Sequence, residues 1–234
     1  MQRDANGVDR SQPAKALVFV PRAMDEILAE LAVLPGLGAV RAQIDALLAR
    51  LQVQEARRRA GLPVADRPML HAALVGPPGT GKTMVARLLA ELYAAMGLLK
   101  KPVFVEAGRD SLVALYTGQS APRTADTVAR AQGGVLFLDE AYSLAGDTFA
   151  EESLAELMRQ MENQRDDLVV IFAGYPAEME AFIGANPGLR SRFPKTISFP
   201  DYSTPELASI FEGLCRKQRY QLTPAAEKRL NEII

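Results

Sequence analysis

The sequence has very few of the side chains that form covalent cross-links or soft-metal clusters. Its 234 residues include one cysteine, Cys215, and one histidine, His71. An internal disulfide is therefore impossible, and so is a metal site built from several cysteines and histidines. This composition suits a protein of the reducing cytoplasm.

Long apolar runs and an excess of either charge are also missing. No run of eighteen apolar residues occurs, and the start of the chain is too polar for a secretory signal, so we expect a soluble protein without membrane insertion. Lys and Arg total 27 and Asp and Glu total 28, for a formal net charge of −1. Without a basic excess, nucleic acid is not an expected partner.

Short apolar runs separated by amphipathic segments are the main structural signal. Five of them predict strands: the run before Gly76, and residues 103–107, 135–138, 168–173 and 196–199. Strands that alternate with helices predict an α/β fold, in which helices cover both faces of a five-stranded parallel sheet. In such folds the functional site lies at the carboxyl ends of the strands.

The two ends of the chain differ from this central part. Residues 1–30 are a polar tail and the start of a helix, and Leu17–Val20 within them predicts a short strand or an extended segment. Residues 31–202 hold the α/β domain. Beyond Tyr202 the pattern is purely helical, so residues 203–234 are assigned to the beginning of a helical subdomain.

The stretch GPPGTGKT, which follows the first predicted strand, has the pattern of a phosphate-binding loop. Its glycines let backbone N–H groups turn inward toward phosphate oxygens, beside the positive end of the next helix. The lysine adds a charge for the phosphates, and the following hydroxyl can ligate Mg²⁺. A plain glycine turn is the alternative, but it requires neither side chain. The predicted ATP-binding residues are Gly76, Pro77, Pro78, Gly79, Thr80, Gly81, Lys82 and Thr83.

A pair of acids, Asp139 and Glu140, ends the apolar run at 135–138. Asp139 can hold Mg²⁺ through its water shell, and Glu140 can orient and deprotonate the attacking water. Two acids also follow apolar strands by chance. After a complete phosphate-binding loop, however, the pair predicts hydrolysis of the nucleotide.

Three blocks of sequence resemble one known family. They are GPPGTGKT, GGVLFLDEAYSL and the stretch from Val169 to Ser203. They are similar to the CbxX/CfqX-type AAA+ ATPases, which include red-type Rubisco activases, an ATPase of type VII secretion and a sporulation ATPase. The similarity runs from about Leu34 to Leu214. It implies a P-loop AAA+ sheet domain followed by a helical lid, working as a homo-oligomeric ring, usually a hexamer, that remodels or translocates a protein.

The resemblance also implies two arginine candidates for catalysis between subunits. Arg192 is the candidate arginine finger, which would face the γ-phosphate held by a neighbouring subunit, and Arg190 is the reserve. The alternative for both is a solvated loop charge.

Further roles are implied for two aromatic positions. Tyr116, Thr117 and Gly118 match the loop that lines the central pore of AAA+ translocases, although Tyr116 alone fits a core tyrosine equally well. Tyr175, at the end of the fourth predicted strand, occupies the place where many AAA+ proteins position the lytic water. It is a candidate sensor.

Two other functions fit parts of the same pattern. A non-catalytic module could use ATP only to set its assembly state, and a clamp or helicase loader would act on DNA. The family's lid has further helices and a later arginine that senses nucleotide. This sequence has no counterpart of that arginine, so we expect that either the chain stops part-way through the lid or the protein lacks that function.

Overall fold

A computed structural model describes residues 14–63, 69–116 and 118–233 of the chain. Six strands in this part form one sheet, in the order β1-β3-β4-β5-β2-β6. The strands are β1 (Lys15–Val18), β2 (Ala72–Val75), β3 (Val103–Ala107), β4 (Val135–Leu138), β5 (Val169–Gly174) and β6 (Thr196–Ser198).

The five predicted strands are present and run parallel. A sixth strand, β1, joins the outer side of β3 in the antiparallel direction, with Lys15 opposite Glu106 and Val18 opposite Val103. A short strand was predicted at Leu17–Val20; the observed strand begins two residues earlier and ends at Val18, and its place in the sheet was not predicted.

Ten α-helices lie in the described residues, with one 3₁₀ turn at Ala141–Leu144 directly after β4. The helices are α1 (Met24–Ala32), α2 (Gly38–Arg59), α3 (Lys82–Ala95), α4 (Arg109–Leu112), α5 (Ser120–Ala131), α6 (Thr148–Asn163), α7 (Pro176–Ala185), α8 (Pro187–Arg192), α9 (Thr204–Lys217) and α10 (Pro224–Ile233).

Helices cover both faces of the sheet, as predicted. Side chains along β5 alternate between the two faces because successive residues of a strand point to opposite sides. Ile171 packs with α1, α2 and α3 in one apolar cluster, and Phe172 packs with α5, α6, α7 and α8 in the other. With both faces covered, β2, β4 and β5 are buried along their whole length.

The last two helices stand apart from this core. No residue of α9 is buried, and the large side chains Leu207, Phe211 and Leu214 on it are exposed. Among the described residues, no helix combines the length and apolar character needed to span a membrane.

Candidate active site

The predicted site lies at the carboxyl ends of three neighbouring strands, which form one edge of the sheet. The order β4-β5-β2 places the phosphate-binding loop, the end of β5 and the acid pair side by side, because all three strands are parallel and end at the same edge. They surround a pocket of about 420 Å³. Its lining is Pro78, Gly79, Gly81, Lys82, Thr83, Met84, Asp139, Glu140, Tyr142, Gly174 and Tyr175.

Glycine is required at three points of the loop between β2 and α3. Gly79 and Gly81 have φ values of +75° and +87°, in the left-handed region that other residues rarely adopt. Gly76 packs so closely against the strand end that an added Cβ would lie 2.6 Å from the carbonyl oxygen of Phe199. The Gly76 N–H donates to the Gly174 carbonyl at 3.2 Å, which fixes the loop to β5.

The ammonium group of Lys82 is held inside the loop. It donates to the carbonyls of Gly76, at 2.8 Å, and Pro77, at 2.6 Å. The Thr80 hydroxyl donates to the same Pro77 carbonyl at 2.8 Å. Partial burial lowers the pKa of Lys82, and the negative charge of Asp139 acts in the opposite direction. A cation bonded only to neutral carbonyls can exchange them for a phosphate, which pairs with it more strongly.

Two oxygen donors suited to Mg²⁺ lie in the pocket. Thr83 is the second residue of α3, and Asp139 directly follows β4. A hydroxyl and a carboxylate are hard ligands of the kind that Mg²⁺ prefers, together with water and phosphate oxygens. The donor set therefore fits a magnesium ion bound with a nucleotide.

The backbone at Glu140 is strained. Its φ and ψ are both 47°, a left-handed conformation that costs a residue with a Cβ about 1 kcal/mol or more. The Glu140 N–H donates to the Asp139 carboxylate at 3.1 Å, and the 3₁₀ turn begins at the next residue. At this residue the chain leaves the direction of β4, and Glu140 lines the pocket.

Tyr142 is a pocket residue that the sequence reasoning missed. Its ring fills the space above Gly174, where an added Cβ would lie 2.8 Å from Tyr142 Cε1, and it stacks on Tyr175 with the ring centres 6.1 Å apart. Burial and the nearby Glu140 carboxylate raise the pKa of Tyr142 to about 12. The only signal for it was its place in the DEAYSL block.

Tyr175, the candidate sensor, lies where the sequence predicted. It is the residue after β5, and its ring centre is 5.9 Å from the Lys82 ammonium nitrogen. Tyr175 therefore lines the same pocket as the phosphate-binding loop and the acid pair Asp139 and Glu140.

Arg192 lies at the opposite edge of the sheet. It ends α8, just before β6, and donates to the Glu162 carboxylate at 2.7 Å and the Gly188 carbonyl at 3.1 Å. The next residue, Phe193, packs against His71 with ring centres 5.8 Å apart, and His71 immediately precedes β2. The four residues of β2 span about 13 Å, so Arg192 is far from the phosphate-binding loop of its own chain.

Arg190, the reserve candidate, is on the same short helix. Its side chain is exposed and donates to the Gly184 carbonyl at 2.8 Å. The structure brings neither arginine into the pocket of its own chain.

Two of the three predicted pore-loop residues, Tyr116 and Gly118, lie in the connection between α4 and α5. Tyr116 is 62% exposed and Leu115 is 75% exposed, which rules out the alternative of a core tyrosine. Gly118 has a φ of +77°. Thr117 lies outside the described residues.

Comparison with known proteins identifies the family. Residues 72–201, which contain the whole pocket, match the model of the ATPase family associated with various cellular activities, AAA. The chain belongs to the AAA ATPases. The sequence-based assignment to this family, to its α/β fold and to ATPase activity is therefore confirmed.

Curated relatives of this AAA ATPase are of the CbbX and CfxQ type. It is 45% identical to protein CbbX of Cereibacter sphaeroides over 89% of this chain and 69% of that one. It is 44% identical to a chloroplastic ribulose bisphosphate carboxylase/oxygenase activase of Cyanidioschyzon merolae, over 82% and 67%. It is 40% identical to stage V sporulation protein K of Bacillus subtilis, over 90% and 66%. The chain thus spans about two thirds of the length of these relatives.

Solved structures support the fold. The AAA domain of FIGL-1 in complex with ADP superposes with a TM-score of 0.64 and 22% sequence identity, covering 93% of this chain and 68% of that one. At this identity the likeness concerns the fold alone.

Proposed function

We propose that this AAA ATPase binds ATP with Mg²⁺ at the carboxyl edge of its sheet and hydrolyses it within a ring of identical subunits that remodels or translocates a protein. One observation carries the first half of the proposal. Lys82, Thr83, Asp139 and Glu140 come from two separate motifs, yet line the same 420 Å³ pocket. A structure that shares the fold, the AAA domain of FIGL-1, is in complex with ADP, in keeping with nucleotide binding.

The loop residues 76–83 hold the phosphates in this proposal. Backbone N–H groups of the loop and the start of α3 donate to phosphate oxygens. Lys82 leaves the carbonyls of Gly76 and Pro77 and pairs with the phosphates. Thr83 and Asp139 would hold Mg²⁺, which would neutralise charge on the phosphates.

Glu140 is the general base. It takes a proton from water as the water oxygen bonds to the γ-phosphorus, and the bond from that phosphorus to the ADP oxygen breaks. The products are ADP and inorganic phosphate, and the proton passes from Glu140 to solvent. Tyr175, beside Lys82, is placed to contact the lytic water or the phosphate.

Arg192 completes the site of the neighbouring subunit. Because it lies at the edge away from its own pocket, only a head-to-tail contact can bring it to a γ-phosphate, and head-to-tail contacts close into rings. Arg190 is the second candidate for this role. The Glu162 carboxylate that holds Arg192 would be exchanged for phosphate when the ring forms.

A protein is the proposed substrate of the ring. Tyr116 lies on the exposed connection between α4 and α5, where an aromatic side chain can contact an extended chain, and Thr117 and Gly118 follow it in the sequence. The name of one relative, a ribulose bisphosphate carboxylase/oxygenase activase, is in keeping with action on another protein.

Separating binding from chemistry tests the proposal. Lys82→Ala removes the nearest cation and should abolish most of the ATP affinity. Glu140→Gln keeps the shape of the side chain but accepts no proton, so it should bind ATP and lose about 10²- to 10⁴-fold in turnover. Calorimetric titration and phosphate release are measured on both variants.

Matched controls are Lys101→Ala, at the other edge of the sheet, and Glu180→Gln, on the exposed side of α7. Both should behave as the unmodified protein. Tight ATP binding by Lys82→Ala would remove the loop from its proposed role. Unchanged turnover in Glu140→Gln would exclude Glu140 as the general base, whereas ATP binding without any phosphate release by the unmodified chain would favour the non-catalytic module.

A further inference from the structure

The segment that joins β6 to α9 runs along the phosphate-binding loop and touches it at both ends. At one end, the Phe199 N–H donates to the Val75 carbonyl at 2.8 Å, and Phe199 packs on Gly76. At the other end, the Tyr202 hydroxyl donates to the Thr80 carbonyl at 3.1 Å. The loop therefore cannot rearrange near Thr80 without a response from this segment.

Tyr202 also packs on a second turn. Its ring lies directly over Gly36, between α1 and α2, so closely that any side chain at this position would overlap the ring. The φ of Gly36 is +71°, which likewise favours glycine. Tyr202 is thus fixed between Gly36 on one side and Thr80 on the other.

Helix α9 begins immediately after this tyrosine. Ser203 is its N-cap, and the Glu206 carboxylate accepts the Ser203 N–H at 2.8 Å and its hydroxyl at 2.7 Å, forming a capping box. The first turn of α9 is therefore tied to the residue next to Tyr202. Because no residue of α9 is buried, this junction, rather than core packing, sets its direction.

We propose that Tyr202 is a positioning residue that couples occupancy of the phosphate-binding loop to the orientation of α9. The inference rests on the proposed function, in which loop residues 76–83 hold phosphate. Lys82 and the Thr80 hydroxyl both donate to the Pro77 carbonyl. When Lys82 moves to the phosphate, the Thr80 hydroxyl is left as the one of these two donors that still bonds to this carbonyl. The Thr80 carbonyl then changes position, and the Tyr202 hydroxyl that bonds to it moves with it.

The chain contains its own reporter for this movement. Cys215 is the only cysteine and lies on α9, partly exposed. A fluorophore attached to its thiol reports the surroundings of α9 as ATP or ADP is added. In the unmodified chain we expect nucleotide to change this signal, with a midpoint that matches the calorimetric affinity.

Tyr202→Phe keeps the ring on Gly36 and removes only the hydroxyl. Loss of one net hydrogen bond should weaken the coupling between nucleotide and α9 by about 3- to 10-fold, while ATP affinity changes little. The matched control is Tyr93→Phe. The Tyr93 hydroxyl donates to the Leu70 carbonyl at 3.2 Å in the core, so this variant loses a similar bond but should keep the full Cys215 response.

A second pair of variants tests the same junction from the other side. Gly36→Ala displaces the Tyr202 ring and should reduce the Cys215 response, whereas Gly38→Ala meets no atom within 4 Å and should leave it unchanged. Circular dichroism checks that each variant is folded.

The outcomes are distinct. A full response in both Tyr202→Phe and Gly36→Ala would overturn the role of Tyr202. Calorimetric ATP binding without any Cys215 response in the unmodified chain would overturn this inference and leave the proposed function standing. Absence of ATP binding would overturn both.

Discussion

The two edges of the sheet hold charged groups in opposite ways. At the carboxyl edge, Lys82 is bonded to neutral carbonyls and Glu140 adopts a strained backbone conformation beside an open pocket. At the amino edge, His71 is buried against Phe193, and Arg192 is already paired with Glu162. One edge is arranged to receive an anion, and the other is closed by its own contacts.

Under the proposed function, this difference would let one parallel sheet serve two nucleotide sites. Parallel strands gather phosphate-binding loop and acids at a single edge, so they necessarily leave the residues before each strand at the other. An arginine there cannot assist its own pocket. It can assist a neighbour's pocket if the amino edge of one subunit meets the carboxyl edge of the next.

Removal of Arg192 should have the largest effect. Arg192→Ala is expected to lower turnover about 10³-fold or more, because the transition-state charge in the neighbouring site loses its cation. ATP affinity should change little, since the pocket of the same chain is intact. The control is Arg159→Ala, which removes an exposed arginine paired with Glu156 and should leave turnover unchanged. Near-normal turnover in Arg192→Ala would exclude the finger assignment.

The buried histidine should make stability depend on pH. Burial, with a smaller contribution from the Arg192 charge, lowers the pKa of His71 from 6.5 to about 4. The unfolded chain therefore binds the proton first, and stability that is complete above pH 6.5 is lost as pH falls toward 4. The loss should reach about 3 kcal/mol at pH 4. Because His71 is the only histidine, one NMR signal reports its titration.

A matched substitution isolates this contribution. His71 Nδ1 accepts the Val170 N–H at 2.9 Å, and the oxygen of an asparagine side chain can accept the same bond. His71→Asn should lose about 2 to 3 kcal/mol less between pH 7 and pH 4 than the unmodified chain in denaturant titrations. Equal losses, or an NMR titration near pH 6.5, would show that His71 is accessible to solvent.

Glycine substitutions should have the smallest effects and should differ between the edges. An added Cβ would meet backbone at Gly76 (Phe199) and at Gly134 (Val103). Each alanine variant should lose about 1–3 kcal/mol of unfolding free energy. Gly76→Ala should also weaken ATP binding, whereas Gly134→Ala should not. Gly108→Ala meets no atom within 4 Å and serves as the control. Equal ATP affinity in the Gly76 and Gly134 variants would contradict the distinction between the edges.

The parts of the site that the sequence predicted are those fixed by local geometry. Residues 76–83 form a loop of neighbours between one strand and one helix, and Asp139 and Glu140 directly end a buried strand. Their order in the sequence therefore determines their positions. The parallel strands were predictable for a related reason, since short apolar runs such as 135–138, alternating with helical segments, are typical of strands covered on both faces.

Contacts between distant segments were not predictable. Tyr142 lies over Gly174 and Tyr202 over Gly36, and neither pair has a pattern in the sequence that marks it before the fold is known. Both tyrosines were visible only as members of the blocks that resemble the family. Their packing depends on the absence of a side chain at a partner far along the chain.

Helix α5 was not among the predicted elements. Its buried residues are small, and three of the five are polar: Ser120, Thr124, Thr127, Val128 and Ala131. The Thr124 hydroxyl donates to the Leu112 carbonyl at 3.2 Å, and the Thr127 hydroxyl donates to the Ser111 carbonyl at 2.8 Å. Both hydroxyl groups are thus satisfied in the core by carbonyls that lie outside the helix.

The central claim is that the amino edge of one subunit completes the pocket at the carboxyl edge of the next. Its most direct test is the ATPase rate of a mixture of Lys82→Ala and Arg192→Ala subunits, each inactive alone. In an equal mixture, roughly a quarter of the sites pair an intact loop with an intact finger, so turnover should rise to about that fraction of the unmodified rate. A mixture that assembles together but stays as inactive as its components would contradict the claim.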